Sequence, residues 1–239
     1  MSEDKLRSAV SRLEIEDRQP CVVILPLPGQ PPGTYFREHD ERMEATVDAA
    51  VVSKELGYLT KILLATGTKD KDGLSCARHM ERQITYFAKR RGRSAILDCI
   101  AIGEEKSGAT APQIHSVRGQ LLGVEPLSDG SLLGKVDLVV LISNWPHLLP
   151  AGVYFSRFIP EIPFVKWSSG DGRGCLNLPR WKYLLREFAL YGTALTIDRD
   201  GHRFDKLIEV ACEEWRHLRF PSVPYVHPYR PRKPSAQSR

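Results

Sequence analysis

The stretch Ala95-Ile-Leu-Asp-Cys-Ile-Ala-Ile-Gly-Glu-Glu-Lys-Ser-Gly-Ala-Thr-Ala-Pro-Gln-Ile114 decides the reading of the chain. The apolar run over 95–102 predicts a buried strand. Ile114, Val117, Leu121 and Leu122 fall at helical spacing and predict a helix after it. Between them Gly103 to Gln113 is a polar turn, so strand, turn and helix start are packed into one short segment. In an open parallel sheet such a turn lies at the carboxyl ends of the strands, where ligands bind. Glu104 and Glu105 are able to act as acid or base. Ser107, Thr110 and the unpaired N–H groups of a helix start are able to hold an anion. The same residues also read as an ordinary helix cap followed by Pro112 in the first turn.

The flanking segments repeat the pattern. Cys21 to Leu25 reads as a central strand running into the loop Pro26-Leu-Pro-Gly-Gln-Pro-Pro-Gly33, where Gly29 lets a backbone approach a ligand. A helix follows, with Met43, Val47, Ala50, Val51 and Leu56 as its apolar stripe and Gly57 as its stop. Arg42 is placed in its first turn, where a cation opposes the helix dipole; a surface ion pair or a bound anion would hold it there. Lys61 to Thr68 reads as a second strand ending in Thr66 and Gly67, which suit a phosphate or hydroxyl contact and equally a plain turn. The next helix turns Met80, Ile84, Phe87 and Ala88 inward. Val136 to Ile142 reads as a fourth strand ending in Ser143-Asn-Trp-Pro-His147. His147 is a candidate general acid or base there, or a structural hydrogen-bonder. Val153 to Phe158 reads as a short helix and Pro163 to Trp167 as a fifth strand.

These alternations predict an α/β, doubly wound three-layer sandwich: a mainly parallel, Rossmann-like sheet of five or six strands with a helical C-terminal extension. The expected organisation is an N-terminal helix over 1–18, one α/β domain over 19–219, and a Pro/Arg-rich tail over 220–239. Met1 to Arg18 is read as a helix that frays or docks late. Ser168 to Gly174 reads as a linker or a lid, Ala194 to Ile197 as a further short strand, and 207–218 as a last amphipathic helix.

Composition bounds the function. With 42% hydrophobic and 26% charged residues, the 239-residue chain is globular rather than disordered or membrane-embedded. The five cysteines show no close-pair metal spacing, and no metal is expected; Cys21, Cys99 and Cys212 read as small core hydrophobes. The N-terminus has no apolar core and no run is long enough to span a bilayer, so a cytoplasmic location is expected. The formal charge of +5 gathers at the C-terminus and around Arg78, Arg82, Lys89, Arg90 and Arg91. This leaves a phosphate-bearing partner, tRNA included, as a candidate. Neither GxGxxG nor GK[ST] is present, which favours group transfer over nicotinamide redox chemistry.

The turn Glu105-Lys-Ser-Gly-Ala-Thr-Ala-Pro-Gln113, between a strand and a helix, resembles the signature of the SanA/YdcF-like proteins, the family that includes ElyC. That signature runs Glu-x-x-Ser-x-x-Thr-x-x-Asn or one residue shorter. The likeness covers residues 20–167. It extends to Arg42 near a helix start, Thr66 and Gly67 after the second strand, and Ser143 with His147 after the fourth. Gln113 stands where the family has Asn, a Pro-rich loop replaces its glycine pair, and Leu148, Leu149 and Pro150 follow His147 where an Arg is usual. The resemblance implies a Rossmann-like fold with a polar pocket at the strand ends. It admits S-adenosylmethionine or a nucleotide as ligand. Its site would comprise Glu105 and His147 as catalytic groups, with Gly29, Arg42, Thr66, Gly67, Ser107, Thr110, Gln113, Ser143 and Asn144 around the ligand. Two other readings stand beside it: an aminoacyl-tRNA-dependent transferase of the cyclodipeptide synthase kind, using the basic helix, and a non-catalytic ligand sensor.

Overall fold

The computed structural model describes residues 3–13, 15, 18–27, 37–66, 73–103, 110–169, 189 and 192. In chain order the elements are α1 (Glu3–Val10), β1 (Cys21–Pro26), α2 (Arg37–Glu55), β2 (Leu59–Leu64), α3 (Cys76–Arg90), a 3₁₀ helix (Ser94–Cys99) and β3 (Ile100–Ile102). Then follow α4 (Thr110–Ser116), α5 (Arg118–Leu121), β4 (Leu138–Ser143), α6 (Leu148–Phe158) and β5 (Phe164–Ser168). The five strands form one sheet in the order β3-β2-β1-β4-β5. Every neighbouring pair is parallel. The fold is thus α/β, doubly wound and Rossmann-like.

The central strands are apolar along their whole length because both faces are covered. In β1, Val22 and Ile24 face a core built with Leu6, Met43, Val47, Met80 and Ile84 from α1, α2 and α3. Cys21, Val23 and Leu25 face a second core with Ile114, Leu121, Tyr154 and Phe155 from α4, α5 and α6 and with Val117 between α4 and α5. These are the three layers. The N-terminal helix spans Glu3–Val10 rather than 1–18 and docks on the first core, with Leu6 fully buried and Val10 nearly so. Cys21, Cys76 and Cys99 are buried free thiols. Burial holds the Cys76 thiol up at about 11 against a small opposing pull from Arg42, so it packs as a protonated hydrophobe.

Several predicted boundaries shift. The run over 95–102 is a strand only from Ile100; its first part is the 3₁₀ helix Ser94–Cys99. Ile96 and Cys99, three apart, lie on the same side of that helix and both enter the first core. The helix after the central turn is interrupted at Val117 into α4 and α5. The helix expected from Val153 begins at Leu148, because Pro150 is tolerated inside the first turn. The α2 helix begins at Arg37, so Arg42 lies in its second turn and not its first. Its end is as expected: Gly57 takes φ +79°, a left-handed conformation that costs a glycine little. The loop from Gly170, the 194–197 strand, the 207–218 helix and the tail lie outside the described residues. No helix among the described residues is long and apolar enough to cross a membrane.

Two devices tie the ends of the sheet. At the amino edge the Asp137 carboxylate accepts from the Cys21 backbone N–H at 2.8 Å and from the Arg18 guanidinium. At the carboxyl edge backbone bonds continue past the strands: Leu27 N–H donates to Ile142 O at 2.9 Å, Gly103 to Leu64 O at 2.8 Å and Ser169 to Ser143 O at 2.8 Å.

Candidate functional site

Because all strands are parallel, their carboxyl ends share one edge. The sheet changes direction between β1 and β4, since the chain builds outward from β1 to β3 and then returns to β4 on its other side. A crevice at such a switch point is where open α/β sheets hold ligands.

The described edge is unusually polar for its burial. Ser143 ends β4, Asn144 follows it, and His147 immediately precedes α6; all three are buried. Asn144 Oδ1 accepts from His147 N–H at 3.2 Å, which folds the turn back on itself. Leu148 N–H donates to Asn144 O at 3.1 Å and closes the same turn. Thr66 lies two residues past β2 and is buried. Gln113 occupies the start of α4, the helix that packs beside α6.

Two of these side chains are left incomplete by the protein. Ser143 is 0% exposed and Gln113 1% exposed. The Ser143 Oγ and the Gln113 Nε2 are buried and have no hydrogen-bond partner in the protein. A buried polar atom without a partner forfeits its hydration, a loss of about 1–3 kcal/mol. Folded proteins seldom leave such groups without a role.

Arg42 is the buried cation of this edge, only 2% exposed. Its Nη1 donates to Leu27 O at 2.9 Å, just past β1, and its own carbonyl accepts from Thr46 Oγ1 at 2.8 Å. It is therefore a buried side chain rather than a surface one. It brings positive potential to the end of β1.

Sequence reasoning missed His39, one turn before Arg42 on the same helix. Its imidazole is held below the usual range, first by burial and then by the Arg42 guanidinium, with a polar contact from Gln83 offsetting part of this. The available signal was the i, i+3 spacing of His39 and Arg42, which places both on one helix face. Of the other expected site residues, Gly29, Gly67, Glu105 and Ser107 lie outside the described residues, as does the side chain of Thr110. Among the described residues no group of His, Cys, Asp or Glu is arranged to hold a metal.

The basic helix is half of an ion-pair seam. Arg91 pairs with Asp48 at 2.6 Å and with Glu44 at 3.0 Å, and Arg90 reaches Glu44 at 3.6 Å. Arg93 pairs with Glu55 at 3.2 Å. The carboxylates all belong to α2, so much of this charge is met within the molecule.

The fold and the incomplete polar edge define a class: a Rossmann-like α/β domain whose buried polar residues gather at the carboxyl edge of its sheet, where the strand order reverses between β1 and β4. Compared with family models, curated proteins and solved structures, the chain matches none.

Proposed function

We propose that the chain binds a nucleotide-containing or phosphorylated small molecule at the carboxyl edge of β1 and β4 and catalyses group transfer on it. The observation that carries this reading is the pair of buried, unpartnered polar atoms on Ser143 and Gln113. A ligand supplies what they lack: an acceptor for the Gln113 amide and a donor or acceptor for the Ser143 hydroxyl. Arg42 favours an anionic ligand, by its field more than by direct contact, since Nη1 is engaged with Leu27 O. In this reading, which follows the SanA/YdcF-like resemblance, Glu105 is the general base and His147 carries a proton to or from the leaving group. S-adenosylmethionine is one of the ligands it admits.

The test has two arms. Native mass spectrometry of the purified protein, with and without added S-adenosylmethionine or AMP, reports whether a ligand is held. Ser143→Ala and Gln113→Leu should each weaken that complex at least tenfold, the loss of about one good hydrogen bond. In urea, ligand-free Ser143→Ala should be no less stable than the wild type, because an unpaired hydroxyl is removed. A Ser143→Ala protein that binds as the wild type does would remove the site from consideration. Glu105→Gln separates enzyme from sensor: binding should persist while turnover falls by about a hundredfold or more.

A further inference from the structure

We propose that Lys166 is a reactive amine, seated against Gly152 of α6, and that activated acyl donors (acyl phosphates or acyl thioesters) modify it in preference to the exposed lysines of the other elements. The proposal concerns a second place on the molecule and does not depend on the ligand site.

Lys166 lies in β5, the outer strand of the sheet beside β4, with Leu141 as its register partner. Phe164, two residues before it, packs against the second core, which Leu141 also enters. Side chains alternate along a strand, so Lys166 belongs to that same face, the one α6 covers. A lysine on such a face ordinarily lays its methylenes on apolar surface and lifts the ammonium into water. Here the end of the side chain itself reaches the helix. A Cβ on Gly152 would lie 2.3 Å from Lys166 Cε and 2.5 Å from its Nζ. The backbone does not ask for glycine there, since Gly152 is not among the glycines of positive φ. Glycine inside a helix is less favourable than alanine. What Gly152 provides is the space that the lysine occupies.

Among the described residues Lys166 has no hydrogen-bond or ion-pair partner. Lys54, by contrast, donates to Ala95 O at 2.8 Å. Contact with the helix strips water from the Lys166 ammonium and holds its pKa below the ordinary 10.5, and burial is the single cause. The residue as a whole is still exposed, so a small electrophile has access to it. An accessible, unbonded and partly desolvated amine is a nucleophile at neutral pH. In the step itself the Nζ lone pair attacks the acyl carbonyl carbon. The carbon–oxygen bond to phosphate, or the carbon–sulfur bond to the thiol, breaks. The departing group takes the electron pair, and the amine gives up its proton. An amide forms and the positive charge of Lys166 is lost.

The experiment treats the purified full-length chain with acetyl phosphate at pH 7.5 and follows each lysine by peptide mass spectrometry. Lys166 should be acetylated several-fold faster than Lys89 or Lys135, both of which are exposed. Its rate should also reach a plateau at lower pH than theirs. Gly152→Ala fills the notch, and only the flexible end of Lys166 has to move, so the fold should persist by circular dichroism. In that variant the Lys166 rate should fall to that of Lys89. If Lys166 reacts no faster than Lys89 in the wild type, the proposal is wrong whatever the variant does. A fast rate that survives Gly152→Ala would equally overturn it, because the seat on α6 would then not be its cause.

Discussion

At the scale of single residues the carboxyl edge is a set of side chains that folding alone does not require. The Ser143 hydroxyl and the Gln113 amide would be better replaced by apolar groups if packing were their only purpose. His39 is a related case, with a consequence for pH. Burial and the Arg42 guanidinium lower its pKa from the ordinary 6.5, and His79 acts in the same direction; Asp40 and Gln83 oppose them. The unfolded chain therefore binds a proton that the folded one resists. Stability attributable to His39 is complete above the unfolded value and is lost as pH falls through 6.5 toward the folded value. Comparing the wild type with His39→Gln isolates this residue from the other histidines. The difference in unfolding free energy between the two proteins should shift in favour of the variant between pH 7.5 and 5.5, on the order of one unit either side of the ordinary imidazole range. A pH-independent difference would mean that the imidazole is as well hydrated folded as unfolded.

At the scale of elements, the residue that follows β3 is closely packed. A Cβ on Gly103 would lie 2.6 Å from Gln120 Oε1 and 2.9 Å from Leu63 Cδ1. Gln120 has little room to yield, since its Nε2 donates to Pro126 O at 3.2 Å. Gly103→Ala should therefore destabilise by about 2 kcal/mol, an overpacking effect. Gln120→Ala in the same chain should return part of it. Urea denaturation of the single and double variants measures both, and an unaltered Gly103→Ala midpoint would show that Gln120 and Leu63 yield without cost. The elements differ in how far the sequence disclosed them. The strands β1 and β4 were readable because parallel strands covered on both faces are continuous apolar runs; β2 and the edge strand β5 were readable from shorter apolar stretches around Lys61 and Lys166. Ser94–Cys99 was not, because six residues containing Ile96, Leu97 and Cys99 fit a two-residue and a three-residue period equally well. The start of α6 was hidden by Pro150, which reads as a breaker although it sits in a first turn. The site was legible in part for the same reason: Ser143, Asn144 and His147 follow directly from the end of a recognisable strand. The partner of Arg42 was not legible, because Leu27 O belongs to a different element and no local pattern encodes the contact.

At the scale of the whole molecule, β1 is both the first strand made and the central one. It lies between β2 and β4, and Val22 pairs with Thr60 on one side and Leu138 on the other. Asp137 secures the second pairing by taking the Cys21 N–H and the Arg18 guanidinium on one carboxylate. Asp137→Ala leaves that buried N–H without its acceptor and should destabilise the protein by about 2–3 kcal/mol. Asp137→Asn keeps an oxygen there and should lose less. Chemical denaturation distinguishes them, and equal losses would assign the whole effect to the charge. The central place of β1 also sets a timetable for the growing chain. Half of the sheet is able to assemble while the ribosome is still reading the segment after α3, but one side of β1 then stands open, its backbone groups facing water or any other strand in reach. That side closes only after residues 138–143 have emerged. Until then the nascent protein carries an unmatched seam through its future interior, so slower translation before β4 prolongs the period in which chaperones must shield it.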